Sequence, residues 1–477
     1  FPPAPAEHPT MKPALADTFG QHWHADDPAT LARWNRAIRD YFTFRGNPVG
    51  DALALSNDAT FVMGDVFALS MLLFDGEPKT SPRIAPRLQR LAERFADATE
   101  QEQGHIRAVQ ACAEGEITRA TEHWQAVLER EPGDLLAMKL AHEAHFLVGD
   151  AARMLDSMRR AMRDWRPDQP GYGFVLGQYA FALEENGHYA AAEGPALLAL
   201  ERERDDCWAL HVLIHVHEMQ NRHDACLALL DALKPRWSEQ PLLLAHIWWH
   251  LALRYVAARR YDEALAIHDA HLASVDAASA FRLTDGTSLL WRLELAGQEV
   301  GERWQLLADK WLGHAERHGN GFLDVHIAMA FAGARRTDEL RRFLAGFDQP
   351  ALAGGASELD QIRRQVTAPV CAALAAYGDG EHAAACEMLG AALPALHRIG
   401  GSNAQRDLFK RTLAASQLRA GKLAECRRFL LKCLDEAPNT TWVLDELARV
   451  EERAEDPAMA AHYRAWARLT IEPLRTE

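Results

Sequence analysis

A recurring beat of small residues, a glycine turn and a proline stop constrains this chain more than any other feature. Residues 101 to 132 hold Ala108, Gly115, Ala120 and Pro132, with an apolar helical stretch on either side of the glycine. Small residues let two helices approach closely. Glycine turns the chain between them, and proline ends the second helix because it cannot continue the hydrogen-bond ladder. Ala180, Gly187, Ala192 and Ala199 mark another unit. So do Ala225 with Ala232, Ala252 with Ala264, Ala373 with Ala385 and Ala392, and Ala414 with Gly421 and Pro438. The turns at Gly149 and Gly187 lie 38 positions apart, whereas the turn after Met219 follows about 33 later, so the units are degenerate. Roughly nine to twelve helix pairs of ~34 to 40 residues fit the length.

No sustained alternation of β-branched residues and no Asn-Gly hairpin turn between strand-like runs interrupts this pattern. The expected fold is all-α, an α-solenoid or superhelix of degenerate tetratricopeptide-like helix pairs. Residues 1–100 fit the beat least and are expected to form an N-terminal helical cap. Within it, Asp58 to Ser70 carries a helical apolar stripe with Ser56 or Asp58 as its cap. Residues 101–350 are read as repeats around a histidine-rich central groove, 351–357 as a flexible joint, and 358–477 as C-terminal helical repeats. Phe1 to Thr10 lacks the basic start and apolar run of a secretory signal. With Met11 as a candidate natural start, that segment is left out of the fold.

Composition narrows the partners. With 48% hydrophobic residues, 25% charged residues and a mean hydropathy of -0.25, the chain has the means to bury a large core. Fifty-two basic against sixty-seven acidic residues give a formal charge of -15, which opposes attraction to phosphate backbones and anionic lipid heads. Neither nucleic acid nor a membrane is expected as a partner, and no apolar run approaches the ~20 residues that cross a bilayer. The cysteines, seven in number and without C-x-x-C spacing, read as reduced thiols used as small core residues, which points to the cytoplasm. Cys426 and Cys433 share a helix face. Without a third ligand, packing is the better reading there than zinc.

Histidines are the functional clue. They cluster in Leu140-Ala-His-Glu-Ala-His145, His211-Val-Leu-Ile-His-Val-His217, His246-Ile-Trp-Trp-His250 and Asp324-Val-His326. Residues three or four apart share a helix face, so His142 with His145, His211 with His215, and His246 with His250 project as pairs. His211 to His246, and His215 to His250, is 35 residues, about one repeat. That spacing sets the two pairs on neighbouring helices, whereas alignment by the helix turns pairs His211 with His250; either register puts members of both pairs within reach across one groove, since stacked helices lie ~8 to 10 Å apart. A zinc-peptidase helix would read H-E-x-x-H. His142-Glu143-Ala-His145 closes one residue short of it and His217-Glu218 lacks the second histidine, so that motif is rejected.

Several segments carry a more specific likeness: Trp208-Ala-Leu-His-Val-Leu-Ile-His-Val-His-Glu-Met-Gln-Asn-Arg222, His246-Ile-Trp-Trp-His250, Tyr261-Asp-Glu-Ala-Leu265, Trp291-Arg-Leu-Glu-Leu-Ala-Gly297, Val300-Gly-Glu-Arg-Trp304, Asp324-Val-His326 and Gln405-Arg-Asp-Leu408. Over about residues 50–450 the chain resembles the tetratricopeptide repeat protein 38 family. The resemblance implies a soluble helical-repeat protein, with family histidines at the positions of His211, His215, His250 and His326. It implies no settled activity.

The first functional reading is a concavity that binds a small molecule or peptide segment. It would be lined by His142, His145, His211, His215, His246, His250, His326, Trp249 and Asp58. The second is an enzyme using His211, His215, His250, His326 and Asp324 in acid-base or metal-assisted chemistry. The sequence calls for no cofactor. A transition metal such as zinc, held by His211, His215 and His250 with Glu218 or Asp324 as a further ligand, stays open as an alternative. The third reading is a protein-interaction scaffold. Against all three stands ordinary packing, in which each ring bonds a carbonyl or carboxylate of the next helix. Asp65, Arg254, Tyr255, Arg282, Asp285, Arg292 and Glu294 either line the same groove or form inter-helix salt bridges. His314 and His318, also i,i+4, are expected at an exposed helix end. Oligomeric state is not legible.

Overall fold

A computed structural model describes residues 15–25, 27–58, 60–238, 242–275, 280–348 and 357–471. Acceptor side chains close the first turns of several of its helices. Asp134, Asp150 and Asp206 each take a backbone N–H, from Ala137, Arg153 and Ala209 respectively. Glycines end many of them, with Gly115, Gly149, Gly187, Gly297 and Gly421 all in the left-handed conformation that this turn requires. Helix therefore follows helix from Pro28–Thr43 to Pro457–Ile471, apart from one two-residue antiparallel pairing of Leu15–Ala16 with His22–Trp23. The pairs from Val62–Phe74 with Ala85–Arg94 to Thr441–Arg453 with Pro457–Ile471 match the expected number. The molecule is an all-α helical repeat of tetratricopeptide type.

The inner helix of a pair is enclosed on most sides and the outer one is amphipathic. Cys207–Met219 buries Cys207, then every residue from Ala209 to His217, whereas its partner His223–Ala232 buries His223, Cys226 and Leu230. One continuous core runs from Trp23 to Ile247 and takes in Ile362, a second runs from Ala245 to Ala415, and a third from Ala414 to Ala467. All seven cysteines are buried and free, as packing predicts.

The superhelix closes over its centre, because its C-terminal part folds back against the inner turns of the early repeats. Thr118 donates from its backbone N–H and its hydroxyl to Glu358, both at 2.7 Å. The Asn403 N–H donates to Glu185 at 2.9 Å, and Asn221 donates to the Pro438 carbonyl at 2.8 Å. Arg259 pairs with Asp445, and Trp291 donates to the Thr412 hydroxyl at 3.0 Å. The cavity beside the site depends on this return.

Three local expectations need correction or placement. The helix expected from Asp58 begins at Val62 with no side-chain cap. Ser56 instead follows the preceding helix and donates to buried Asp65 at 2.5 Å, while Asp58 accepts from Thr30 and Thr60. His314 is buried rather than exposed, and His318 stacks on Phe343. Residues 351–356 of the expected joint lie outside the described residues. Among the described residues no helix is long and apolar enough to cross a membrane.

Candidate functional site

Two consecutive inner helices, Cys207–Met219 and Leu244–Ala257, bring His211, His215, His246 and His250 into one cluster. Each pair is one turn apart on its helix, and the 35-residue register sets the pairs against each other. Ring centroids are 4.2 Å apart for His211 and His215, 4.7 Å for His246 and His250, and 4.8 to 5.2 Å for His211 against the facing pair. One nitrogen from each of the four rings lies within 4.8 Å of the other three.

Carboxylates from adjacent helices hold the outer edges of three rings. Asp285 accepts from Nδ1 of His246 at 2.8 Å, and Glu218 accepts from Nδ1 of His250 at 2.8 Å. Those two contacts leave the Nε2 lone pairs facing inward. Glu184 sits 3.3 Å from Nδ1 of His215. Nε2 of His246 meets Nε2 of His211 at 3.0 Å, so His211 is the donor there. Nε2 of His215, Nε2 of His250 and Nδ1 of His211 are buried without a partner.

The surroundings are apolar. Trp249 lies flat on His246, with centroids 5.1 Å apart at 15°, while Trp208 and Phe181 border His211. Burial pushes His215 down to about 4 and His211 and His250 well below the usual imidazole value, with neighbouring histidines adding to the shift for the last two. These rings are therefore neutral near pH 7. Burial acts oppositely on the acids beside them, raising Glu184 to about 8 and Glu185 to about 7.

A cavity of about 600 Å³ adjoins this cluster, between the same inner helices and the returning helices Asn403–Arg419 and Thr441–Arg453. Glu218, His223, Arg254, Arg292, Arg411 and Trp442 are among its walls. Most of its charges are neutralised in place. Arg411 pairs with Asp407 and lies over Trp442, Lys410 pairs with Glu436, Arg449 with Glu446 and Arg406 with Glu185. Arg254 bridges Glu218 at 2.8 Å and donates to Nδ1 of His223 at 2.9 Å. A guanidinium only donates, so neutral His223 carries its proton on Nε2, where it has no acceptor.

Arg292 is the exception among these charges. It is 2% exposed, and its guanidinium donates only to the carbonyls of Ser288, Ala404 and Gln405. Among the described residues no carboxylate comes within ion-pair distance of it. Burial lowers it to about 10.

The remaining sequence candidates are placed elsewhere. His142 is buried beside Phe181 with both ring nitrogens unpartnered, and burial lowers His145 to about 4 on the same helix. Neither joins the four. His326 turns its Nδ1 to the Phe322 carbonyl at 2.7 Å and is spent on its own helix. Asp324 lies in a different cavity with Arg363 and Thr367, where burial raises it to about 8. Asp58 ties the N-terminal helices together through Thr30. Of the two carboxylates expected to reach the histidines, Glu218 does and Asp324 does not.

Sequence reasoning missed Glu184, Glu185 and His223. One signal was present, since Glu184 and Glu218 are 34 positions apart and occupy the same last turn of successive inner helices. Aligning repeats by position, rather than by residue type, brings them out.

An all-α helical-repeat protein with a buried imidazole cluster beside a charged cavity is thus the class defined by fold and site. No protein-family model matches the chain. Among solved structures, the human IFIT1 dimer with m7Gppp-AAAA is 12% identical over 95% of this chain and 91% of its own, with a TM-score of 0.37. The Cut9 and Hcn1 assembly of APC/C gives 12% identity over 93% and 86%, with a TM-score of 0.32. The P58(IPK) TPR domain gives 13% over 80% and 94%, with a TM-score of 0.21. Likeness at this level carries no argument about function, and the class rests on the helices described above.

Proposed function

We propose that this protein binds a carboxylate-bearing small molecule in the cavity beside the histidine cluster, with Arg292 as the group that receives the carboxylate. The lack of a directly paired carboxylate on Arg292, whose guanidinium lies over the Trp249 ring at 5.4 Å, carries the reading. A buried cation without a counter-ion is costly, and three carbonyl acceptors leave part of its five-donor fork uncommitted. A carboxylate matches such a fork in geometry and charge. Arg254 and His223 add further support, since both line the cavity and each holds a buried donor without an acceptor.

A formal charge of -15 favours a small ligand over nucleic acid. The motifs around His211, His246 and Trp291 support membership of the tetratricopeptide repeat protein 38 family. The free, buried cysteines support a cytoplasmic setting. The binding unit on this reading is the 101–350 repeats closed by the 358–477 repeats over a cap formed by the first 100 residues.

Thermal unfolding in the presence of benzoate, succinate and glutarate tests the proposal. At least one of these is expected to raise the melting temperature saturably in the wild type, and Arg292→Met to weaken that ligand by about tenfold or more. Lys410→Gln, which changes a wall residue already paired with Glu436, should leave affinity within about twofold. Failure of every carboxylate to shift the wild type, or equal binding by Arg292→Met, overturns the assignment. If Arg292→Met does not fold, calorimetric titration of the wild type with the same acids decides it.

A further inference from the structure

We infer that His211, His215, His246 and His250 form a closed, four-imidazole site for one divalent transition-metal ion, zinc in the first instance. The cluster lies outside the cavity wall and needs nothing from the ligand proposed above.

Packing alone accounts poorly for its hydrogen bonds. A buried polar atom left without a partner loses its hydration and gains nothing in return, and here three ring nitrogens in four touching residues are in that state. They are not scattered. The cluster gathers a nitrogen from every ring into one small volume, and for His215 and His250 the unpartnered atom is the one opposite the carboxylate-facing edge. An ion accepting the inward lone pairs of His215 and His250 would satisfy both, with ligand bonds of ~2.0 to 2.1 Å, and His211 and His246 would join it by giving up the hydrogen bond between them. The nitrogens lie within 4.8 Å of one another, so binding draws the rings together around the ion.

The outer edges are built as metal sites build them. A ligating histidine commonly donates its other N–H to a carboxylate, which fixes the tautomer and the ring plane. Asp285 on His246 and Glu218 on His250 do this from two different helices, at 2.8 Å each. Stacking on Trp249 holds His246 in place, and Phe181 and Trp208 keep water away. Four nitrogen ligands without thiolate suit zinc and its divalent neighbours rather than magnesium or calcium, which take oxygen. Occupation of all four positions by protein marks a closed site. His246, at 15% side-chain exposure, is the ring through which an ion enters.

Removing bound metal with dipicolinate from protein purified without a metal-affinity tag, then reloading with Zn²⁺ or Co²⁺, tests the inference. Elemental analysis should find one ion per chain, and the cobalt form should show the intense visible bands of tetrahedral coordination. Asp285→Asn keeps the ligands and removes one orienting carboxylate, so it should weaken affinity roughly 10- to 100-fold while the circular dichroism stays unchanged. His215→Gln with His250→Gln should abolish uptake. Folded wild type that takes up no ion in competition with a chelator, cobalt bands of octahedral type, or Asp285→Asn binding as tightly as wild type would each overturn the site. If the double histidine variant does not fold, the cobalt spectrum and Asp285→Asn still decide it. None of these results bears on Arg292.

Discussion

Burial sets the protonation of several interior groups, and it works in opposite directions on acids and bases. The neutral state of His211, His215 and His250 follows from it, as does the raised carboxyl of Asp324. For Asp324 the consequence is measurable. Its folded value of about 8 stands above the ordinary 3.8, so between those limits the unfolded chain releases a proton that the folded chain keeps. Fewer protons bound in the unfolded state means that stability falls as pH rises through that window. Asp324→Asn removes this contribution. It should raise the melting temperature at pH 8 relative to wild type and change it little at pH 4, in parallel thermal scans. Buried Lys139 pairs with Glu143 at 3.1 Å, inside a cage of Tyr41, Phe42, Phe44 and Trp208. The histidine pairs were legible in the sequence because i,i+4 spacing settles which side chains share a face. The identity of their carboxylate partners was not, since Asp285 and Glu184 reach the rings from other helices, over separations of 39 and 31 residues.

At the scale of elements, the glycine beat had the right meaning, yet its members carry different loads. Gly187 and Gly149 both hold positive φ, at 76° and 67°. A Cβ on Gly187 would meet nothing within 4 Å, whereas one on Gly149 would lie 1.8 Å from the His397 carbonyl oxygen. Gly187→Ala should therefore cost about 1 to 2 kcal/mol for the left-handed conformation alone. Gly149→Ala should cost distinctly more, because backbone must move, and urea unfolding of the two variants side by side would separate them. Helix type and turn position were readable from periodicity and glycine, since both depend on near neighbours in sequence. The start of Val62–Phe74 was not. Ser56 and Asp58 have the chemistry of caps, but buried Asp65 and Thr30 claim them instead.

For the whole molecule, the decisive contacts join residues about 120 to 250 positions apart. Beside the pairs already described, Arg317 reaches Asp75 at 3.2 Å and Asn320 donates to the Phe74 carbonyl at 3.2 Å. An open array of repeats unfolds piecemeal, because each unit leans only on its neighbours. Here the early and late repeats also hold each other. A single denaturation transition, coincident by circular dichroism and tryptophan fluorescence, is expected, and Glu358→Ala should shift it without splitting it. Separate transitions for the two probes would show that the closure is too weak to couple the parts. None of this was visible in the sequence, where a helix that ends its array and one that returns to the beginning look alike.

The closure also limits how such a chain can change its length. Arrays of this kind ordinarily grow when one unit is copied. A further 34 to 40 residues inserted between Glu185 and Glu358 would carry the returning helices past their seats, so that Glu358 no longer found Thr118 and Asn403 no longer found Glu185. Descendants of this protein are free to vary their surface loops, but the number of repeats inside the closure is held by the need to meet the early turns again.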